Sequence, residues 1–285
     1  MIKQTTHRTV KEIKKNLFYK LLANPKVYLK VLLLRTLVIG LFTAFMTLGI
    51  NFMGWETYTI PASMHSLIGL VIGLLLVFRT NTAYDRWWEG RKTISGVSHE
   101  VDMISARLHA MSTNNNYGNH LNLIEFKSSV IKFLMLLRDY LNEGEDGSSS
   151  TQFHLKQKKQ IERAMLSING MDQSNIHISG LLGSLNKLVE YSNALERIKN
   201  TPIPLSYVFH IKISIYIYLF SLPFGIFHDL EIFAVPLVML IYYIIAGVEI
   251  ISNEIENPFA NDPNDLPTVK LFNVMLKTLG EDGNI

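Results

Sequence analysis

The chain has no cysteine among its 285 residues. That excludes a disulfide framework, a thiolate nucleophile and any zinc or iron–sulfur site built on sulfur. Charge is also scarce. Asp, Glu, Lys and Arg make up 18% of the residues against 48% hydrophobic, and the mean hydropathy is +0.18. This apolar content excludes intrinsic disorder, and collagen or coiled-coil composition is absent. The net charge of +3 is too small and too dispersed for a nucleic-acid partner. Catalytic signatures are missing as well. There is no GxSxG, P-loop, GxGxxG or HExxH sequence, and no two of the nine histidines stand at i, i+3 or i, i+4. Asp85 and Glu89 are four apart, but Arg86, Arg91 and Lys92 beside them favour an ion-paired surface over an acid/base pair. Glu100 and Asp102 point in different directions on a helix. An enzyme is not expected.

The missing charge is concentrated. Residues 36–53, 60–78 and 232–248 contain no Asp, Glu, Lys or Arg, and 203–227 contain only Lys212. A helix rises about 1.5 Å per residue, so each run matches the ~30 Å hydrocarbon core of a bilayer. Four such runs read as transmembrane helices. Basic residues then set the orientation. Nine lie in residues 1–35, fifteen in 79–200 and two in 254–285, while the links 54–59 and 228–231 hold none. The positive-inside rule places both termini and the long middle segment in the cytoplasm, with the two links outside. No secretory signal is expected, because residues 1–35 lack an apolar run followed by a small-residue cleavage site.

These boundaries give an all-α, multi-pass protein of the cell (inner) membrane. Residues 1–35 form a cytoplasmic N-terminal segment, in which 8–22 suit an amphipathic helix on the inner leaflet or on a cytoplasmic bundle. The spans are 36–53, 60–78, 203–227 and 232–250. Residues 79–200 are a cytoplasmic helical region, and 251–285 a cytoplasmic C-terminal segment. Within 121–142, Leu123, Phe126, Val130, Phe133, Leu134, Leu137 and Leu141 recur at helical spacing. Residues 83–111 and 181–198 show similar patterns. Ser112–Asn119 and Asn142–Ser150 have turn composition.

The second span carries the most information. Gly69 and Gly73 form a GxxxG pair, continued by Ala62 and Ser66, which suits close helix packing in lipid. Leu70, Leu74 and Phe78 share a neighbouring face. Repeated about a symmetry axis, that stripe would form an apolar ring able to gate by dewetting. From spacing alone, lipid-facing or bundle-core leucine is the favoured reading. Lys212 and Glu249 are charges within or at the ends of spans, and snorkelling is the expected role of each.

Three segments then carry a family resemblance. Phe78–Lys92 reads FRTNTAYDRWWEGRK, Glu256–Pro267 reads ENPFANDPNDLP, and Thr201–Tyr207 reads TPIPLSY. Together they resemble the bestrophin ion channels, in order, over about residues 8 to 280. The resemblance implies a homopentamer around one pore, embedded in lipid and passing small monovalent ions. Animal members pass chloride and other anions, whereas for bacterial ones sodium-like cations are the alternative expectation. It implies a hydrophobic neck at Leu70, Leu74 and Phe78, the stripe that spacing also selects. It implies a cytoplasmic aperture at Ile203, between Pro202 and Pro204. Many relatives have Ile or Phe where this chain has Leu70 and Leu74, which leaves the neck apolar but alters its bore.

No cofactor is required on this reading. Animal members bind Ca²⁺ through an acidic run after the NPF segment. Here only Asp262 and Asp265 are acidic there, and Ca²⁺ takes six to eight oxygens. Two readings stay open for Asn257, Asp262 and Asp265: a calcium clasp, or a structural clasp joining subunits. The alternative to a channel is a four-span scaffold or sensor whose cytoplasmic helices bind a partner and which conducts nothing.

Overall fold

The computed structural model describes residues 25–53, 61–112, 120–143, 150–169, 171, 175–260 and 264–280. Among them the secondary structure is helical, without strands, as the composition required. Eight α-helices follow in order: α1 (Pro25–Met53), α2 (Ala62–Ser112), α3 (His120–Asn142), α4 (Ser150–Ser167), α5 (Ile176–Asn200), α6 (Leu205–Leu230), α7 (Ala234–Glu256) and α8 (Thr268–Thr278). A 3₁₀ turn, Glu231–Phe233, joins α6 to α7. Four helices are long and apolar enough to cross a membrane: α1, α2, α6 and the 3₁₀ turn continued by α7. The proposed amphipathic helix at 8–22 and the outer link 54–59 lie outside the described residues, as do most of the two turn segments.

The expected second span and the helical pattern that follows it form one element. Helix α2 continues unbroken for 51 residues, about 75 Å, joining the expected span to the helical pattern of 83–111. The cause is simple: the segment holds no proline, and the change from apolar to charged residues alters a helix's surroundings without interrupting its hydrogen bonds.

The described residues divide into two compact units. One holds those up to Asp85 with 202–256 and Asn264. Its core joins Leu32 and Ile39 of α1, Ile72 and Leu76 of α2, Ile211, Ile215 and Leu219 of α6, and Val238 and Tyr242 of α7. Helices α1 and α7 approach closely: a Cβ on Gly40 would fall 2.5 Å from the Met239 sulfur. Two buried hydroxyls in α1 are satisfied by the helix itself, whereas that of Thr47 has no acceptor among the described residues. Thr36 and Thr43 each donate to the carbonyl four residues back, at 2.8 Å.

The second unit holds 86–201 with 257–260 and 265–280. Its core is built on the expected stripe of α3. Leu123, Phe126, Val130, Phe133, Leu134, Leu137 and Leu141 are all buried, together with Ile94, Val97, Leu181, Leu185 and Phe272. Helix α5 starts at an Asn175 cap, whose side-chain oxygen accepts from His177 N–H at 2.9 Å. Its last carbonyls are capped by Arg86, which donates to Ile198 O at 2.7 Å and Thr201 O at 2.5 Å. Glu89 pairs with Arg197 of α5 at 3.2 Å rather than with the basic residues next to it.

Candidate functional site

The first half of α2 has two opposite faces. His65, Ile72, Leu76, Arg79 and Ala83 are buried, and form the stripe that packs into the first unit. At about 100° per residue, Leu70, Leu74 and Phe78 lie roughly 180° away from it. Those three side chains are 70%, 54% and 55% exposed. The chain therefore covers one side of this helix itself and leaves an apolar stripe bare on the other. Leu67, Val71 and Val77 are also exposed and widen the bare surface on either side.

The two glycines have separate environments. A Cβ on Gly69 would lie 2.6 Å from the Tyr218 hydroxyl of α6, so this glycine permits a contact within the chain. A Cβ on Gly73 would meet nothing within 4 Å. One GxxxG motif thus serves the chain's own packing at its first glycine and leaves its second open. His65, one turn before Gly69, uses Nε2 to donate to the Ser221 carbonyl at 3.0 Å.

The residue that sequence reasoning missed is Arg79, next to Phe78. Its side chain is fully buried. A buried guanidinium is very costly unless paired. Helix α7 supplies its partners from one face, at i, i+4 and i+7. Glu249 Oε1 lies 3.7 Å and Glu256 Oε2 3.9 Å from its terminal nitrogens, and Asn253 Oδ1 accepts from Nη2. Asn253 also donates to Glu249 at 2.7 Å. Thr80 and Ser252 share a hydrogen bond at 2.7 Å beside them. Lys212 of α6 completes the network at 3.5 Å from Glu249. Glu249 does not snorkel, as the sequence reading expected. It is buried between two cations, because those cations are better partners than distant water. The available signal was Arg79's position, as the first charge after an uncharged run. Its partners lie some 170 residues away and no local pattern marks them.

The other expected residues are placed as follows. Ile203 is buried, 6% exposed, and does not share the bare character of the α2 stripe. Asn257 Oδ1 accepts from Phe259 N–H at 3.4 Å, a turn-forming contact. Leu266 N–H donates to Pro258 O at 3.0 Å and closes the same segment. Asp265 is half-buried, and Asp262 lies outside the described residues. Among the described residues no three His, Asp or Glu side chains gather to hold a metal.

A family model described as bacterial/fungal bestrophin protein matches residues 10–281. The chain is 31% identical over 244 residues to a voltage-dependent anion channel-forming protein of Synechocystis sp., covering 79% of each. It is 32% identical over 228 residues to a protein of the same description from Nostoc sp., covering 74% of each. Among solved structures, it matches a bacterial bestrophin homologue from Klebsiella pneumoniae with a TM-score of 0.75 at 19% identity. That match covers 87% of this chain and 96% of the other.

Proposed function

Since the chain belongs to the bacterial and fungal bestrophin family, as a multi-pass membrane protein, we propose that it forms an anion-conducting pore. Its neck is the Leu70, Leu74 and Phe78 stripe. The observation that carries this reading is the bare apolar face of α2, set opposite the face that packs inside the chain. Copies arranged around an axis, five in number by the family resemblance, would bring those stripes together as stacked rings. A narrow ring of Leu and Phe expels water and so holds ions back until it widens or wets. Anions are proposed over cations because the Synechocystis and Nostoc relatives are described as anion channel-forming. The charge pattern supports a site in the cell membrane with both termini in the cytoplasm. Ile203 is the proposed second ring, reached only if assembly uncovers it.

The test is purified protein in planar bilayers with asymmetric NaCl. Anion permeation gives a reversal potential displaced toward the chloride equilibrium potential, and displacement toward sodium would overturn the anion assignment. Leu74→Ala and Phe78→Ala should each raise unitary conductance. Unchanged currents in both would remove the neck from these residues. Absence of any flux would favour the scaffold reading.

A further inference from the structure

We infer that Arg79 is a positioning residue that sets the direction of Phe78 and hands control of the neck's inner ring to helix α7. This inference rests on the pore reading above. Phe78 and Arg79 are consecutive on α2, so their side chains diverge by about 100°. One is bare and the other fully buried. Arg79 and Thr80 both dock on a single face of α7, through Glu249, Ser252, Asn253 and Glu256. Those contacts fix the rotation of this turn of α2 about its own axis. Turning α2 to move Phe78 would pull a buried guanidinium from its carboxylates, so the phase of the neck ring is locked to α7.

The lock has a directional part and a charged part. Nε and Nη1 of Arg79 have no hydrogen-bond acceptor among the described residues, so its fork is only partly satisfied. Charge attraction to Glu249 and Glu256 holds it in place without defining an angle. The Asn253 carboxamide does define one, because it accepts from Arg79 and donates to Glu249. Neither Asn253 nor Glu249 belongs to the bare stripe of α2, yet both should govern conduction through it. Lys212 balances the charge: two cations face two carboxylates.

The experiment measures unitary conductance in planar bilayers for Arg79→Lys and Asn253→Ala, each alone and combined with Phe78→Ala. Arg79→Lys keeps the charge and loses the planar fork. Asn253→Ala keeps all four charges and alters an exposed residue, so the fold persists if the network is purely structural. The inference expects both single variants to shift unitary conductance, and expects that shift to vanish in the Phe78→Ala background. A shift that persists without the Phe78 ring overturns it, because Arg79 would then act elsewhere on the pore. Normal conductance in folded Asn253→Ala and Arg79→Lys, with Phe78→Ala still effective, overturns this inference and leaves the pore reading standing. A Phe78→Ala channel indistinguishable from wild type defeats the pore reading itself.

Discussion

A β-carbon on Gly69 would sit 2.6 Å from the hydroxyl oxygen and 3.1 Å from Cζ of Tyr218. Helices α2 and α6 therefore meet backbone to ring at this point, and only a glycine fits. Gly69→Ala should destabilise the detergent-solubilised protein by about 1–3 kcal/mol, the usual cost of overpacking a close contact. Adding Tyr218→Phe removes the nearest atom and should recover part of the loss. Thermal unfolding of the two variants checks this, and a Gly69→Ala protein as stable as wild type would contradict the contact.

Gly73 makes the complementary case. Among the described residues nothing lies within 4 Å of a β-carbon there, so Gly73→Ala should leave the folding of one subunit unchanged. Any effect should appear in assembly, where copies of α2 come side by side. Light scattering of the detergent complex separates the two outcomes: loss of the oligomer with intact helix content, or no change at all. A fall in helix content would contradict the open surroundings of Gly73.

Leu74 tests dewetting apart from bore. Leu74→Asn keeps the γ-branched shape and the number of side-chain heavy atoms while giving the ring hydrogen-bonding groups. Unitary current should rise by more than in Leu74→Ala, which opens the ring further but adds no polar group, whereas Leu74→Met should behave as wild type. Equal currents for Asn and Met would mean that water already fills this ring.

The four long apolar helices among the described residues were legible because the absence of charge is a local, compositional signal. The α3 stripe was legible because helical period alone selects its buried face, and all seven side chains are buried. The shared face of Leu70, Leu74 and Phe78 was readable in the same way, and its exposure opposite Ile72 and Leu76 agrees with the spacing. Other features depend on distant partners and left no local trace. Gly69 and Gly73 look alike in a motif, but Gly73 lies about 40° further round the helix, outside the packed stripe. The network at Arg79 needs Glu249 and Glu256 from another span. Ile203 was singled out by the resemblance and not by any local pattern, and its side chain is buried within the single chain. That one helix runs through the charge boundary after Phe78 follows from the lack of a breaker there.

Lys212 and Arg79 share Glu249, but unequally. The Lys212 side chain is 41% exposed, against 0% for Arg79. Lys212→Met should therefore cost under about 1 kcal/mol, as for exposed pairs. Glu249 keeps Arg79 and the Asn253 carboxamide in that variant. Glu249→Gln leaves a buried guanidinium with Glu256 as its remaining anion at 3.9 Å, and should cost about 3 kcal/mol. Thermal melts should show a small shift for the first and a large one for the second. Equal shifts would mean that Arg79 does not depend on Glu249.

Lys199 gives the second unit a dependence on alkaline pH. Its Nζ donates to the Tyr140 carbonyl and, at 2.8 Å, to the Glu143 carbonyl, at the end of α3. It also lies 4.4 Å above the Tyr140 ring. Burial lowers its pKa below the ordinary 10.5, and the Glu143 carboxylate only partly offsets that. The unfolded chain therefore binds this proton more tightly than the folded one. Stability rises with pH wherever the unfolded state holds more protons. The window runs from the lowered folded value up to 10.5, and below it the charged amine destabilises the fold relative to a neutral one. Lys199→Gln has no such proton, and titrations of other residues are common to both proteins. The stability of wild type minus that of Lys199→Gln should thus increase as pH is raised toward 10.5. Thermal unfolding across that range checks the sign: a difference that falls with pH would mean that Glu143 outweighs burial and that the ammonium is the preferred form in the folded protein.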